Sequence, residues 1–179
     1  MTDEILIRQV KKGNRQAMGQ LMEKHYDEVY RYCFYHLGER ELAQDLTQDT
    51  FCRVLQHLES YQHYGKFLNY LYVIAGNLCK DYFKKQKPVY MDVLPETSDT
   101  RPMEQVDEQL MIRRELEELP IELREVVILR FYHDLKIKDI ARIQEVSASL
   151  IQHRLKKAIG ILREQINSRE VQNEKACQK

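Results

Sequence analysis

Between Lys136 and Ile166 the chain carries polar side chains at spacings suited to reading a nucleic-acid duplex. Ser149, Gln152, His153, Lys156 and Lys157 fall three and four residues apart, so a helix would present them together on one outward face. Gln can make two hydrogen bonds to adenine, and Lys can hold a phosphate or a guanine, in a major groove about 12 Å wide. The opposite face of the same helix would carry Ile151, Leu155, Ala158, Ile159, Leu162 and Ile166. Just upstream, Lys136 to about Gln144 reads as a short helix, Glu145-Val146 as a break, and Ser147 as an N-cap that opens the long helix at about Ala148. Two helices joined by a tight turn, the second basic and amphipathic, form a helix-turn-helix whose first helix (Lys138 to Gln144) braces the second across the duplex. An amphipathic helix pair with a merely solvated basic face has the same spacing, so the pattern alone leaves both readings open.

The remaining elements follow from hydrophobic periodicity and punctuation. In the first half, Ile7, Val10, Ala17, Met18, Leu21, Met22 and Val29 recur at helical steps. Gly13-Asn14 divides them into a short helix and a longer one from about Arg15 to Leu37, with Gly38 as the stop. A third helix is expected over about Glu41 to Leu58, with Leu42, Leu46, Phe51, Val54, Leu55 and Leu58 as its apolar stripe, and a fourth over about Lys66 to Lys87. The second half opens at Leu119-Pro120, with Leu123, Val126, Val127 and Phe131 as the next stripe and His133-Asp134 as its end. Residues from about Ser168 onward are polar and expected to fray. With no strand pattern and no internal repeat, the chain reads as all-α.

All four prolines, Pro88, Pro95, Pro102 and Pro120, lie between the two helical blocks, where they would break a helix interior. Charge follows the same division. The 179 residues carry 28 basic and 28 acidic side chains, yet residues 1–88 hold 13 and 11, residues 89–118 hold 3 and 9, and residues 119–179 hold 12 and 8. A zero total therefore covers two mildly basic blocks and an acidic bridge. The expected organisation is a first helical domain over 1–88, an acidic linker over 89–112, a helix-turn-helix domain over 113–168 and a polar tail over 169–179. The acidic run Asp107 to Leu119 should turn helical as it enters the second block.

Three stretches together resemble the sigma-70 family of RNA polymerase sigma factors, in its small extracytoplasmic-function (ECF) form. They are Asp45-Leu-Thr-Gln48-Asp49-Thr-Phe51, then Phe67-Leu-Asn-Tyr70-Leu71-Tyr-Val-Ile74-Ala75-Gly-Asn77, then Leu119-Pro120, Arg124-Glu125-Val126, Leu129-Arg130, Ile140-Ala141, Ser147, Arg154-Leu155 and Ala158 in order. The resemblance covers nearly the whole chain. It implies two helical domains, sigma region 2 and sigma region 4, and a transcription initiation factor. Such a factor binds core RNA polymerase and directs it to promoters by reading minus-10 and minus-35 elements.

Carried residue by residue, the resemblance implies three surfaces. Asp45, Gln48 and Asp49 share a helix face and would dock on the polymerase, acidic and amide groups suiting an Arg-rich partner. The same face also reads as a solvated stripe beside Leu46 and Phe51. Tyr61, His63, Tyr64 and Lys66, with Asn77, Lys80 and Lys84 on the following helix, would take the minus-10 element, because unstacked bases need aromatic platforms and a basic track. Tyr61 and Tyr64 as packing residues, and the lysines as compensation for a helix C-terminus, are equally compatible with the pattern. Ser149, Gln152, His153, Arg154, Lys156 and Lys157 would read minus-35. The linker would occupy the polymerase channel used by RNA, or serve only as a spacer.

Departures from the family pattern are local. Tyr70 stands where tryptophan is frequent, and Gly76 where a basic residue is usual. Gln144-Glu145 replaces an apolar-Gly pair, so Glu145 would have to adopt a left-handed turn at a cost of about 1 kcal/mol. Leu150 stands where Thr is common.

Other functional classes find little support. The sequence has no Gly-rich phosphate loop, no H-E-x-x-H and no close Ser/His/Asp grouping, so an enzyme is not expected. Cys33, Cys52, Cys79 and Cys177 form no C-x-x-C pair, so neither a disulfide framework nor a metal is expected, and the first three read as small apolar helix residues. No cofactor is implied. Met1-Thr-Asp-Glu is acidic where a signal peptide is basic, and no apolar run is long enough to span a bilayer, so a cytoplasmic protein without membrane insertion is expected. The partners implied are core RNA polymerase, promoter DNA and an anti-sigma factor. The rival reading is a stand-alone helix-turn-helix regulator. It gives no purpose to the Asp45–Phe51 face or to the acidic linker.

Overall fold

A computed structural model of the chain describes residues 1–62, 66–85, 116 and 118–177, with side chains described to residue 168. The acidic linker, and the helix expected over Asp107 to Leu119 apart from its last residues, lie outside the described residues. Among the described residues every regular element is helical. No helix there is long and apolar enough to cross a membrane, and no cluster of His, Cys, Asp and Glu is placed to hold a metal ion. The chain forms two compact units, the first built mainly from Met1–Lys87 and the second mainly from Pro88–Ala141 with Val146–Lys179.

The first unit contains α1 (Asp3–Lys11), α2 (Arg15–Leu37), α3 (Arg40–His57) and α4 (Phe67–Lys85). The breaks have local causes. Gly13 takes a φ of +86°, which a side chain would resist, and Asn14 then caps α2 by accepting a hydrogen bond from the Ala17 N–H at 3.1 Å. Gly38, at φ +73°, ends α2 in the left-handed conformation. The four helices close on a core in which Tyr32, Phe51, Phe67, Leu71 and Tyr72 are essentially inaccessible. Truncating one such aromatic to alanine costs about 3–5 kcal/mol. The Tyr72 hydroxyl reaches the Glu28 carboxylate at 3.4 Å, and burial together with that negative charge pushes the phenol well above its ordinary range. Cys33 and Cys79 are buried, as small apolar helix residues should be, whereas Cys52 is exposed. Leu55, expected on the apolar stripe of α3, is 46% exposed. It is a single step of four beyond Phe51, at the edge of the buried face.

The second unit contains α5 (Ile121–Val127), continued by a π-helical turn (Ile128–Tyr132), then α6 (Ile137–Ile143) and α7 (Ala148–Cys177). Pro120 stands one residue before α5, its carbonyl accepting from Leu123 and Arg124 N–H groups at 2.9 Å. The π turn corrects one expectation. Phe131, four residues beyond Val127, should share its buried face at α-helical pitch, yet it is 60% exposed while Ile128 and Leu129 are buried. The wider turn rotates the following side chains out of α-helical phase. Asp134, at φ +47°, ends the turn, and Arg130 braces it by donating to the Leu135 carbonyl at 3.1 Å. Helix α7 also exceeds expectation. It runs to Cys177 rather than fraying near Ser168, and Ile166, expected on its apolar face, is 48% exposed.

Candidate functional site

On α3 the helical repeat separates two faces. Ala43, Leu46, Thr47, Thr50, Phe51 and Val54 are buried, and the two threonine hydroxyls satisfy themselves by donating to the Ala43 and Leu46 carbonyls at 2.6 and 2.7 Å. Asp45, Gln48 and Asp49 all point to solvent on the opposite side. Among the described residues no side-chain hydrogen bond or ion pair engages any of them. The fold thus leaves three polar groups unused on one exposed face.

The segment between α3 and α4 is described at both ends. Tyr61 is half-buried: its ring stands 4.5 Å from that of Tyr70 and 5.5 Å from that of Phe67, edge-on to the latter. Burial, with the neighbouring Tyr70 and Asp3 charges, raises the Tyr61 phenol above its ordinary value, and burial does the same for Tyr70. Tyr61 is therefore part of an aromatic cluster rather than a loose platform, and Tyr70 is its half-exposed neighbour rather than a fully buried replacement for tryptophan. His63 and Tyr64 lie outside the described residues. Lys66 is exposed immediately before α4. Asn77 and Lys84 are exposed and Lys80 half-buried along one stripe of that helix, so Lys66 and Lys84 mark its two ends, roughly 27 Å apart at about 1.5 Å per residue. The helix runs unbroken through Gly76.

Sequence reasoning missed one residue of this region. Lys11, on α1, donates from Nζ to the Glu59 carbonyl at 3.1 Å and to the Tyr61 carbonyl at 2.7 Å. The contact joins positions about fifty apart, and no local pattern encodes it.

The turn between α6 and α7 has a defined geometry. The Val146 N–H donates to the Ala141 carbonyl at 3.0 Å and the Glu145 N–H to the Arg142 carbonyl at 3.3 Å, the paired bonds of a Schellman motif. Glu145 sits at φ +54°, in the left-handed conformation that glycine enters without strain. Ser147 then caps α7, its hydroxyl accepting from the Leu150 N–H at 3.2 Å. Beyond the cap, Ile151, Leu155 and Ala158 are buried, whereas Ser149, Gln152, His153, Lys156 and Lys157 are exposed and Arg154 is half-buried. The five expected outward residues thus share the solvent face at the N-terminal end of α7, and Arg154 lies at its border. Glu145→Gly should raise the stability of this unit by up to about 1 kcal/mol, since glycine enters the left-handed region without strain. Thermal unfolding of the full chain checks this; a lower midpoint would show that Glu145 makes a compensating contribution.

The family profile described as Sigma-70 region 2 matches residues 21–89, and that described as Sigma-70, region 4 matches residues 109–160. The chain belongs to the sigma-70 family. Its relatives include the ECF RNA polymerase sigma factors SigW and SigX of Bacillus subtilis. SigW is 27% identical over 89% of this chain and 94% of its own length, and SigX 26% identical over 89% and 92%. Among solved structures, CnrH in complex with the cytosolic domain of CnrY is 21% identical, with a TM-score of 0.75 over 93% of this chain and 97% of that one. The sigma factor RpoE of Bartonella quintana, in complex with the anti-sigma factor NepR, is 18% identical, with a TM-score of 0.65 over 83% and 96%. At those identities the structural likeness speaks for the all-α fold.

As a sigma factor of the ECF type, the chain is a promoter-directing transcription initiation factor and not an enzyme. The stand-alone regulator is not favoured, because both halves of the chain match sigma regions. Helix α1 and the first turns of α2 lie outside the region 2 match of this sigma factor.

Proposed function

We propose that the two units of this sigma factor divide its work among three surfaces. Asp45, Gln48 and Asp49 on α3 dock on core RNA polymerase. The segment Tyr61, His63, Tyr64 and Lys66, with Asn77, Lys80 and Lys84 on α4, takes the minus-10 element. Ser149, Gln152, His153, Arg154, Lys156 and Lys157 on α7 read minus-35. The domain limits assigned are 1–88, 89–112 for the acidic linker, 113–168, and 169–179 for the polar tail.

The observation that carries this reading is the start of α7. A capped, tightly hydrogen-bonded turn delivers a helix whose exposed face holds donors and cations for base edges and phosphates, while its other face is committed to the core. Base capture at minus-10 has a balanced energy account: unstacking one base costs a few kcal/mol. One or two base–aromatic contacts at about 1–3 kcal/mol each offset it. The factor works in the cytoplasm, where core polymerase and promoter DNA are found. An anti-sigma factor is a partner of the same kind as the one bound to the Bartonella quintana sigma factor.

Start-site mapping tests this reading. Core polymerase supplied with the purified chain and fragmented genomic DNA should initiate at sites that share two upstream sequence motifs at a constant separation. Start sites sharing a single motif, or none, would remove one or both of the assigned DNA surfaces.

A further inference from the structure

The first turn of α7 carries an apolar side chain that the core does not take up. Leu150 is 38% exposed, whereas the next residue, Ile151, is fully buried. Its place is fixed from both sides. The Leu150 N–H donates to the Ser147 hydroxyl at 3.2 Å, and the Ile151 N–H to the Ser147 carbonyl at 3.2 Å. Ile151, Leu155 and Ala158 hold the opposite face of the helix in the core, so the helix cannot rotate to cover Leu150.

The surroundings of Leu150 on the helix surface are polar. His153 and Lys157, three and seven residues on, stand in the same row and are exposed, and Arg154, four residues on, is half-buried. The other side chains of the first turn offer less. Ala148 has a single methyl group, the Ser149 hydroxyl stands 3.0 Å from that of Ser147, and Ile151 belongs to the core. Leu150 is thus the largest exposed side chain among the first four residues of α7.

In a helix-turn-helix these N-terminal residues meet base edges. The groups that distinguish bases in a major groove are hydrogen-bond donors and acceptors, with one exception, the C5-methyl of thymine. Leucine has nothing to exchange with a donor or an acceptor. Set against the cytosine amino group it removes water and returns no hydrogen bond, which is unfavourable. Set against the thymine methyl it takes two apolar surfaces out of water together, which is favourable.

We infer that Leu150 is a specificity-determining residue of the minus-35 reading face, selecting thymine at one base pair by contact with its C5-methyl group. The inference deepens the assignment of α7 to minus-35 and rests on it. Gln152, His153 and the lysines bring hydrogen bonds and charge to that face, and Leu150 brings the contact that only a methylated base can return.

The test uses holoenzyme assembled from core polymerase and the full chain, bound to fluorescent duplex fragments carrying a mapped promoter. Each thymine of the minus-35 element, on either strand, is replaced in turn by deoxyuridine, which keeps the hydrogen-bonding groups and lacks only the methyl. Wild-type holoenzyme should lose about fourfold in affinity at one of these positions, the effect of one methyl-sized group returned to water. Replacing that T·A pair by C·G should cost more. Leu150→Ala should bind the unmodified fragment at least about fourfold more weakly and should no longer distinguish thymine from uracil there. Leu150→Met, which keeps an apolar side chain of similar volume, should preserve the distinction. Helical content by circular dichroism should be the same in all three proteins.

A wild-type holoenzyme indifferent to every uracil replacement, or a minus-35 element with no thymine in either strand, would overturn the inference. So would a Leu150→Ala variant that keeps the full uracil penalty, since the methyl would then be read by another residue. In these cases the assignment of α7 stands if Gln152→Ala still relaxes selectivity at one base pair. If neither Leu150→Ala nor Gln152→Ala alters the choice of any minus-35 base, the assignment fails and the inference with it.

Discussion

Asp45→Arg combined with Asp49→Arg should weaken binding to core RNA polymerase by at least about 100-fold. Hydrogen bonds to charged groups contribute about 1.5–3 kcal/mol each, and 1.4 kcal/mol is tenfold in affinity. Reversing two charges removes such bonds and sets like charges against a basic partner surface, which adds to the loss. The fold should be spared. Both aspartates are exposed, neither is engaged within the described structure, and arginine is the better helix former. Circular dichroism should therefore match the wild type while fluorescence titration against core polymerase shows the deficit. Unchanged affinity in a folded variant would move the docking surface off this face of α3.

The second large effect is expected at the other unit. Gln152→Ala combined with Lys156→Ala should cut transcription that depends on the minus-35 element by about 10- to 100-fold. A good two-bond base contact discriminates by about 1–3 kcal/mol. A lost phosphate contact weakens binding across all sequences and lowers the salt slope by about one. Both side chains are exposed on α7 beyond its Ser147 cap, and alanine favours the helix, so the turn and the core behind it should persist. Measuring promoter binding by holoenzyme at several salt concentrations separates the two residues: loss of Lys156 should flatten the salt dependence, and loss of Gln152 should relax selectivity at one base pair. Full promoter selectivity in the double variant would take both residues out of the reading face.

How much of this was legible in the sequence depended on whether the cause was local. The limits of α2 follow from Gly13, Asn14 and Gly38, residues with short-range conformational demands, and they are found where those residues dictate. The exposure of Asp45, Gln48 and Asp49 follows from spacing alone, because a buried Leu46 and Phe51 fix the opposite face. Glu145 was legible as a strained position because it stands where the sigma-70 pattern carries glycine, and it takes the left-handed conformation despite its side chain.

What failed was non-local or cumulative. Phe131 was placed by a step of four that holds only while the helix keeps its pitch, and the π turn breaks that condition. Leu55 and Ile166 carry the right periodicity yet are exposed, because spacing along one helix does not say where its neighbours cover it. The aromatic trio of Tyr61, Phe67 and Tyr70 brings two ends of a connecting segment together, so Tyr61 alone looked freer in the sequence than it is. The Lys11 contact is the extreme case. An exposed lysine on the first helix has no pattern to mark it until the third helix ends beside it.

The central claim is that one chain gives core polymerase both a grip and an address. Run-off transcription on a linear template carrying a mapped promoter tests it most directly. Core polymerase with the chain should produce a single transcript of defined length, core polymerase alone should not, and moving the minus-35 element by half a helical turn should remove the product. Specific binding of that template by the chain alone, with no transcript when core polymerase is added, would contradict the account.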